Sequence, residues 1–376
     1  MLLLPPFNPR IQAVRPADSC LFADNGGVTT DRDAAAGDPR TPSDAVAEVQ
    51  QRYARFARDE APGRSSLYEE WAAGIAADDA TAGVLARIEA SRRQPPLVFA
   101  IARLLGAPLA GFAEWSSWLV AHADDVVAES ARRGLQTNEP LRCAALLPAL
   151  STIDGPIALL EIGASAGLCL FPDRYSYRFT GARDAALDPA DGPSSVVLHS
   201  ELRGAAAEDV PLRMPDIVWR AGIDIAPLDA RDNSDRRFLT TLAWPGEEGR
   251  AERIEAALDI VAADPPVILQ GDATDPELLR ALIARAPEDA TLVVTTPGVL
   301  PHIPRAGRQR LIATLSSAPV VWITIDPPAL HEAWHPAIDA AAWGGFVLAR
   351  DGHPLAAVDP LGAFVEWLPQ TRPSRG

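Results

Sequence analysis

A glycine-containing turn is the first segment whose residues could do chemistry. It reads Glu161-Ile162-Gly163-Ala164-Ser165-Ala166-Gly167 and follows the apolar run 157–162, which predicts a buried parallel strand. Glycine lets the backbone approach a ligand closely, and a helix predicted to begin after the turn would add free N–H groups and positive potential. We therefore expect a small-molecule site here, with an ordinary strand–helix turn as the alternative. The candidate binding residues are Glu161, Gly163, Ala164, Ser165 and Gly167.

Two acidic residues follow other predicted strands. Asp224 comes directly after the apolar run 217–223, and Asp272 comes shortly after the run 267–270. Ligands of open α/β sheets bind at the carboxyl ends of the strands, so both acids would face the same crevice as Gly163. The alternatives are a solvated turn for Asp224 and a helix N-cap for Asp272.

A polar block, 136–142, precedes a predicted helix. Asn138 is suited to cap that helix, and Pro140 is suited to its first turn. Capping does not require Gln136, Glu139 and Arg142 as well. We therefore expect these three to line the crevice, with Glu139 or Arg142 holding the substrate in the catalytic site. The alternative is a buried Glu139–Arg142 pair that joins two domains.

His302 follows the fourth predicted strand and is the candidate catalytic base, because imidazole titrates near neutrality. The turn 163–167 also matches G-x-S-x-G, the pattern that places a nucleophilic serine between a strand and a helix. A serine hydrolase built on Ser165 could use Asp326 and His353, which follow in the chain order that this fold requires. No oxyanion loop of the H-G-G-G kind precedes the turn.

The segment His331-Glu332-Ala333-Trp334-His335 spells the zinc-protease pattern H-E-x-x-H. That chemistry needs both histidines on one face of a regular helix. Pro336 directly follows the second histidine and disfavours helical geometry there. We therefore predict no metal site.

The charge composition excludes several classes of function. The 376 residues carry a net charge of −16, and all 34 basic residues are arginine. Nucleic-acid binding usually needs clustered positive charge, so DNA and RNA are not expected as partners. Without lysine there is no P-loop lysine, no Schiff base with pyridoxal phosphate and no serine–lysine dyad.

The remaining composition predicts a soluble cytoplasmic protein, with its oligomeric state left open. Cys20, Cys143 and Cys169 are too scattered for a disulfide framework. The opening residues lack the basic region of a signal peptide. No apolar stretch is long enough to span a membrane.

The hydrophobic pattern divides the chain into four parts. Residues 1–43 and 369–376 are expected to be disordered tails, and 44–150 an all-helical region. Residues 151–368 alternate strands with helices, which predicts an α/β fold with a mostly parallel sheet. An insertion at about 175–215 interrupts that alternation, and an Asp-Gly turn near the end predicts a C-terminal antiparallel hairpin.

The glycine turn, Asp224 and Asp272 together resemble the cofactor site of class I methyltransferases. In that family the glycine loop wraps the carboxylate end of S-adenosylmethionine, while acids on later strands bind the ribose and the adenine amino group. The resemblance implies a methyltransferase-like Rossmann core with S-adenosylmethionine as cofactor. It assigns the ribose to Asp224 and the adenine to Asp272.

Several blocks also resemble the bacterial family catalogued as domain of unknown function 2332. They are 136–143, 159–168, 173–175, 220–229, 244–245 and 271–273, and the resemblance covers roughly 45–368. It implies a helical N-terminal region on a methyltransferase-like core and supplies no substrate. Cys169 stands where the family pattern has Asn, and His302 where it has Tyr. We therefore expect methyl transfer to a small molecule, with a serine hydrolase or a non-catalytic ligand-binding protein as alternatives.

Overall fold

A group of α-helices precedes the first strand. The computed structural model describes residues 42–330, 338–340 and 343–369. The helices before the sheet are α1 (Pro42–Asp59), α2 (Ser66–Ala77), α3 (Asp79–Ala86), α4 (Pro95–Leu104), α5 (Phe112–Ala121), α6 (Ala123–Arg132) and α7 (Arg142–Leu150). The predicted N-terminal helical region is therefore confirmed, and side-chain caps from Ser65 and Asp78 mark the starts of α2 and α3.

The rest of the described chain contains eleven strands, which form one mixed, mostly parallel sheet, and the helices that connect them. The strands are β1 (Pro156–Ile162), β2 (Ser176–Gly181), β3 (Ala185–Leu187), β4 (Val197–Arg203), β5 (Asp216–Asp224), β6 (Val267–Gln270), β7 (Thr291–Pro297), β8 (Val321–Asp326), β9 (Phe346–Arg350), β10 (His353–Val358) and β11 (Phe364–Trp367). Their spatial order is β3-β2-β4-β11-β10-β9-β8-β7-β1-β5-β6. The α/β fold is confirmed.

Five parallel strands, in the order β6-β5-β1-β7-β8, form one end of the sheet. Strands β5 and β6 follow one another on one side of β1. The chain then returns to the other side of β1, where β7 and β8 lie. Between the strands lie α8 (Asn233–Thr241), α9 (Arg250–Ala263), α10 (Pro276–Ile283) and α11 (Arg305–Ser317). A reversal of strand order beside β1 leaves a crevice at the carboxyl ends of the strands.

The C-terminal hairpin is confirmed. Strands β9 and β10 pair antiparallel, and Asp351 and Gly352 both have positive φ, of 51° and 76°. A turn with two positive φ values matches the right-handed twist of the flanking strands. The segment predicted as an insertion supplies β2, β3 and β4, which extend the same sheet because β4 pairs with β11.

The helical region and the sheet share an apolar core. Trp71 and Trp115 stack at 4.8 Å between ring centroids, and the core that they belong to extends to Trp367 on β11. Helix α7 is buried along its whole length, which fixes the position of its first residue, Arg142. No helix in the described ranges is both long and apolar enough to cross a membrane.

Three sequence predictions lie outside the described residues. They are the N-terminal tail up to residue 41, the H-E-x-x-H segment from His331 to His335, and the C-terminal tail from residue 370.

Candidate functional site

A cavity of about 220 Å³ opens at the carboxyl ends of β1, β5, β6 and β7. This is the position at which open α/β sheets bind ligands. The predicted site residues that line it are Arg142, Glu161, Gly163, Ala164, Ser165, Asp224, Asp272 and His302. Glu139 and Gly167, which were also predicted, do not line it.

The glycine turn forms the floor of the cavity. Gly163, Ser165 and Gly167 have φ values of +75°, +51° and +82°. A Cβ atom on Gly163 would lie 2.7 Å from Cγ2 of Val299, so only glycine fits against that side chain. The turn is tied to β5 by the Gly163 N–H, which donates to the carbonyl of Ile223 at 2.8 Å. The turn thus has a conformation that glycine makes possible.

The expectation that this turn begins an α-helix is wrong. Two short 3-10 turns follow it, Leu168–Leu170 and Pro172–Arg174. Pro172 lacks the N–H that a helix would donate to Leu168, and the Tyr175 hydroxyl donates to that carbonyl instead, at 2.6 Å. The positive potential of an α-helix N-terminus is therefore not available to a ligand here.

Asn138 holds the turn from the helical side. Its Nδ2 donates to Oγ of Ser165 at 2.5 Å, and its Oδ1 accepts from the Ala166 N–H at 3.3 Å. The prediction that Asn138 caps a helix is wrong, because α7 begins only at Arg142 and its cap residue, Leu141, makes no side-chain bond. The predicted block thus contributes a side chain that supports the glycine turn.

The two strand-end acids differ in their surroundings. Each oxygen of Asp224 accepts one backbone N–H, from Ser165 and from Ala226, both at 2.8 Å. Asp272 is exposed, and one of its oxygens accepts from the Thr274 N–H at 2.8 Å. The helix cap foreseen as the alternative for Asp272 belongs to Asp275, which caps α10. The second oxygen of Asp272 is therefore open to a ligand.

Glu161 is a buried acid with no hydrogen-bond partner among the described residues. Its side chain lines the cavity, the residue is only 3% exposed, and Oε2 is fully covered. Burial raises the pKa of this carboxyl well above its ordinary value, and the neighbouring Cys169 sulfur adds to the shift. An unpaired buried carboxyl costs stability, so its presence at the wall of a cavity indicates a ligand group that completes it.

Arg142 also lines the cavity, near enough to Glu161 for the two charges to interact, and its hydrogen bonds within the described residues are all to backbone carbonyls. Its Nε donates to Pro360 and its Nη1 to Pro297, both at 3.0 Å. Nη2 is buried and has no partner among the described residues. Burial lowers the pKa of the guanidinium from its ordinary value. A Cβ atom on Gly298, whose φ is +71°, would lie 2.9 Å from Nη2, so glycine is needed beside the guanidinium.

Glu139 lies behind the cavity wall. It is 1% exposed and pairs with Arg250 at 2.9 Å and with Arg253 at 2.8 Å, both on α9. Glu139 does not line the cavity, and it forms its ion pairs with these two arginines and not with Arg142. The sequence does not reveal this arrangement, because Glu139 and α9 are more than a hundred residues apart.

His302 lies at the rim of the cavity, in a 3-10 turn after β7. His302 is exposed to solvent on one side, and the partial desolvation of its ring, together with the charge of Arg142, lowers the pKa of the imidazole below its ordinary value. This shift favours the neutral imidazole, the form that accepts a proton.

The structure does not bring together the three residues of the serine-hydrolase hypothesis. His353 lies at the start of β10, which is four strands away from β1 in the sheet. The hairpin turn that precedes it is bonded to β8, because the Asp351 N–H donates to the Trp322 carbonyl. At about 4.8 Å per strand, β10 is roughly 19 Å from β1. Asp326 is fully buried and accepts from the Thr324 hydroxyl and the Leu300 N–H.

Metal ligands do not cluster within the described part of the chain. No group of three or more His, Cys, Asp or Glu side chains there is arranged to hold a metal ion. The two histidines of the H-E-x-x-H segment lie outside the described residues.

A family model described as uncharacterized protein conserved in bacteria (DUF2332) matches residues 50–367. The chain belongs to this family. No curated protein and no solved structure matches the chain. Because the description of DUF2332 gives no activity, the function of this member has to be argued from its cavity.

Some residues of the DUF2332 cavity were missed or misread in the sequence. Gly298 was not singled out, although it directly follows β7 as Gly163 follows β1. Cys169 lines the cavity beside Glu161 and its thiol faces the Glu139 carbonyl at 3.6 Å. The position of Asn138 in a polar block indicated a role for it. Its partner could not be inferred, because Ser165 is 27 residues away in the sequence.

Proposed function

We propose that this protein is an S-adenosylmethionine-dependent methyltransferase that acts on a small molecule, with a methyltransferase-like Rossmann core. One observation carries the proposal. The glycine turn after β1, Asp224 after β5 and Asp272 after β6 line one cavity beside the strand at which the order reverses. These are the three positions that the sequence resemblance assigned to the cofactor.

The residues present fit that cofactor. The buried Glu161 carboxyl lacks a partner and would accept from the ammonium of the methionine part, beside the Gly163 turn. Asp224 would accept from ribose hydroxyls, because each of its oxygens keeps a lone pair after binding one N–H. The open oxygen of Asp272 would accept from the adenine amino group.

The charge of the cavity also suits this cofactor. S-adenosylmethionine supplies a methyl group activated by a positively charged sulfonium. Asp224 and Asp272 line the part of the cavity formed by the ends of β5 and β6 and outnumber the single guanidinium of Arg142. Acidic groups placed there favour the positively charged sulfonium of the cofactor.

The protein's own contribution would be to orient the reactants and to accept a proton. In-line transfer needs a donor and an acceptor held close together, which a rigid turn and a shaped cavity provide. The neutral imidazole of His302, at the rim, would take the proton from an acceptor hydroxyl or amine.

The test is a calorimetric titration with S-adenosylhomocysteine, the demethylated product, against the natural chain and Asp272→Ala. Micromolar binding that the substitution weakens at least tenfold supports the proposal. Absence of binding by the natural chain up to millimolar ligand contradicts it.

A further inference from the structure

We propose that Arg142 is the anchor for a carboxylate group of the small-molecule substrate. That the carboxylate belongs to a methyl acceptor rests on the proposed function. The anion site itself rests only on the surroundings of Arg142.

The guanidinium is held rigidly by three separate segments of the chain. It donates to the carbonyls of Pro360, Pro297 and Thr137, the last at 3.4 Å. These bonds use Nε and Nη1 and leave Nη2 without a partner. A donor fixed in this way binds an acceptor with little loss of side-chain entropy.

The positive charge of Arg142 has no ion-pair partner in direct contact, although Glu139 and Glu161 are near enough to favour the charged guanidinium. No carboxylate of the described residues lies within 4.0 Å of it, whereas the equally buried Arg250 pairs with both Glu139 and Glu247. A buried charge is normally paired, because its removal from water is costly. An arginine that lines a cavity, lacks an ion pair and keeps a buried donor unused indicates an anionic ligand group.

The surroundings favour a carboxylate over a phosphate. Only one nitrogen, Nη2, is unused, and it can serve one oxygen of an anion. The acids Asp224 and Asp272 line the same cavity and would repel a dianion more strongly than a monoanion. The lowered pKa of His302 favours the neutral imidazole, which adds no second positive charge.

Formate labelled with ¹³C is the probe, since it is the smallest carboxylate and needs the least space. The width of its NMR signal is measured as a function of formate concentration at constant ionic strength. The three proteins compared are the natural chain, Arg142→Gln and Arg103→Gln. Arg103 is the matched control, because it also donates to backbone carbonyls, those of Thr241 and Ala243, and does not line the cavity. Labelled formamide is the neutral control ligand.

We expect saturable millimolar binding of formate that is at least tenfold weaker in Arg142→Gln and unchanged in Arg103→Gln. Formamide should bind at least tenfold more weakly than formate to the natural chain, a comparison that holds even if Arg142→Gln does not fold. Equal binding of the two ligands, the absence of saturable formate binding, or full binding by a folded Arg142→Gln would overturn the proposal.

This test is separable from that of the proposed function. Formate binding without S-adenosylhomocysteine binding keeps the anion site and rejects methyl transfer. S-adenosylhomocysteine binding without formate binding keeps methyl transfer and rejects a carboxylate substrate. Formate binding that persists at saturating S-adenosylhomocysteine is expected for a substrate carboxylate, whereas its loss would show that Arg142 binds the carboxylate of the cofactor and would overturn the proposal.

Discussion

Nδ2 of Asn138 lies 2.5 Å from Oγ of Ser165, and this contact joins the loop before α7 to the glycine turn after β1. The same amide accepts the N–H of Ala166 through Oδ1. Ser165 and Asn138 are both buried. The shape of the cavity floor therefore depends on a residue from the helical region.

Replacement of Asn138 by Ala should destabilise the protein and weaken cofactor binding together. Two hydrogen bonds to the turn are lost, and buried groups left unsatisfied typically cost about 1–3 kcal/mol. Urea unfolding and titration with S-adenosylhomocysteine measure the two effects. The exposed Asn233, at the start of α8, is the control, and its change to Ala should alter stability by less than about 0.5 kcal/mol. Equal stability of both variants would contradict the role given to Asn138.

Replacement of Ser165 by Ala should leave S-adenosylhomocysteine affinity within about tenfold, a loss of at most about 1.4 kcal/mol. The Ser165 hydroxyl accepts a hydrogen bond from the Asn138 amide. Within the described residues it makes no hydrogen bond to a histidine. A serine nucleophile would instead make this residue essential for ester hydrolysis. Hydrolysis of p-nitrophenyl acetate separates the two roles. Steady turnover by the natural chain that disappears in Ser165→Ala would favour the hydrolase.

Replacement of Glu161 by Gln should stabilise the ligand-free protein at neutral pH. An acid whose pKa is higher in the folded chain than in the unfolded chain destabilises the fold as pH rises above the unfolded value, about 4.3. The free energy of unfolding of Glu161→Gln should therefore exceed that of the natural chain by an amount that grows as pH rises above that value. The difference should grow by at most about 1.4 kcal/mol per pH unit and be absent at lower pH.

Urea unfolding at pH 4, 5.5 and 7.5 measures this difference, and calorimetry measures the accompanying loss of cofactor affinity. A stability difference that does not change with pH would show that Glu161 is not buried and unpaired as described.

Replacement of Glu139 by Gln should be among the most destabilising changes near the cavity. It leaves the charges of Arg250 and Arg253 without their shared acid, and removal of one partner from a buried ion pair costs about 3–5 kcal/mol. The control is Glu255→Gln, whose half-exposed carboxylate pairs with Arg236 and should contribute about 1 kcal/mol or less. Loss of substrate or cofactor binding without loss of stability would instead support a direct role for Glu139.

Much of the parallel sheet could be predicted because its strands are short apolar runs. The predicted run 157–162 corresponds to β1 (Pro156–Ile162), which lies between β5 and β7 and is buried along almost its whole length. Central strands covered on both faces need continuous apolar sequence, and this signal is local. The run 267–270 coincides with β6, although that strand lies at the edge of the sheet.

The parts of the site that could not be predicted depend on contacts between distant residues. Glu139 pairs with α9, and Asn138 with the turn at Ser165, and no local pattern encodes either choice of partner. The helix expected after Gly167 failed for a local reason, because Pro172 removes the N–H that its first turn needs. The pairing of β4 with β11 likewise joins strands far apart in sequence.

The most direct test of the account is the affinity of the natural chain for S-adenosylhomocysteine, compared with that of Asp272→Ala. Asp272 is exposed and caps no helix, so its replacement should leave the fold intact, and urea unfolding checks this. The account predicts micromolar binding that falls at least tenfold in the variant, equivalent to about 1.4 kcal/mol or more. No binding by the natural chain, or equal binding by both proteins, would contradict the placement of the cofactor in this cavity.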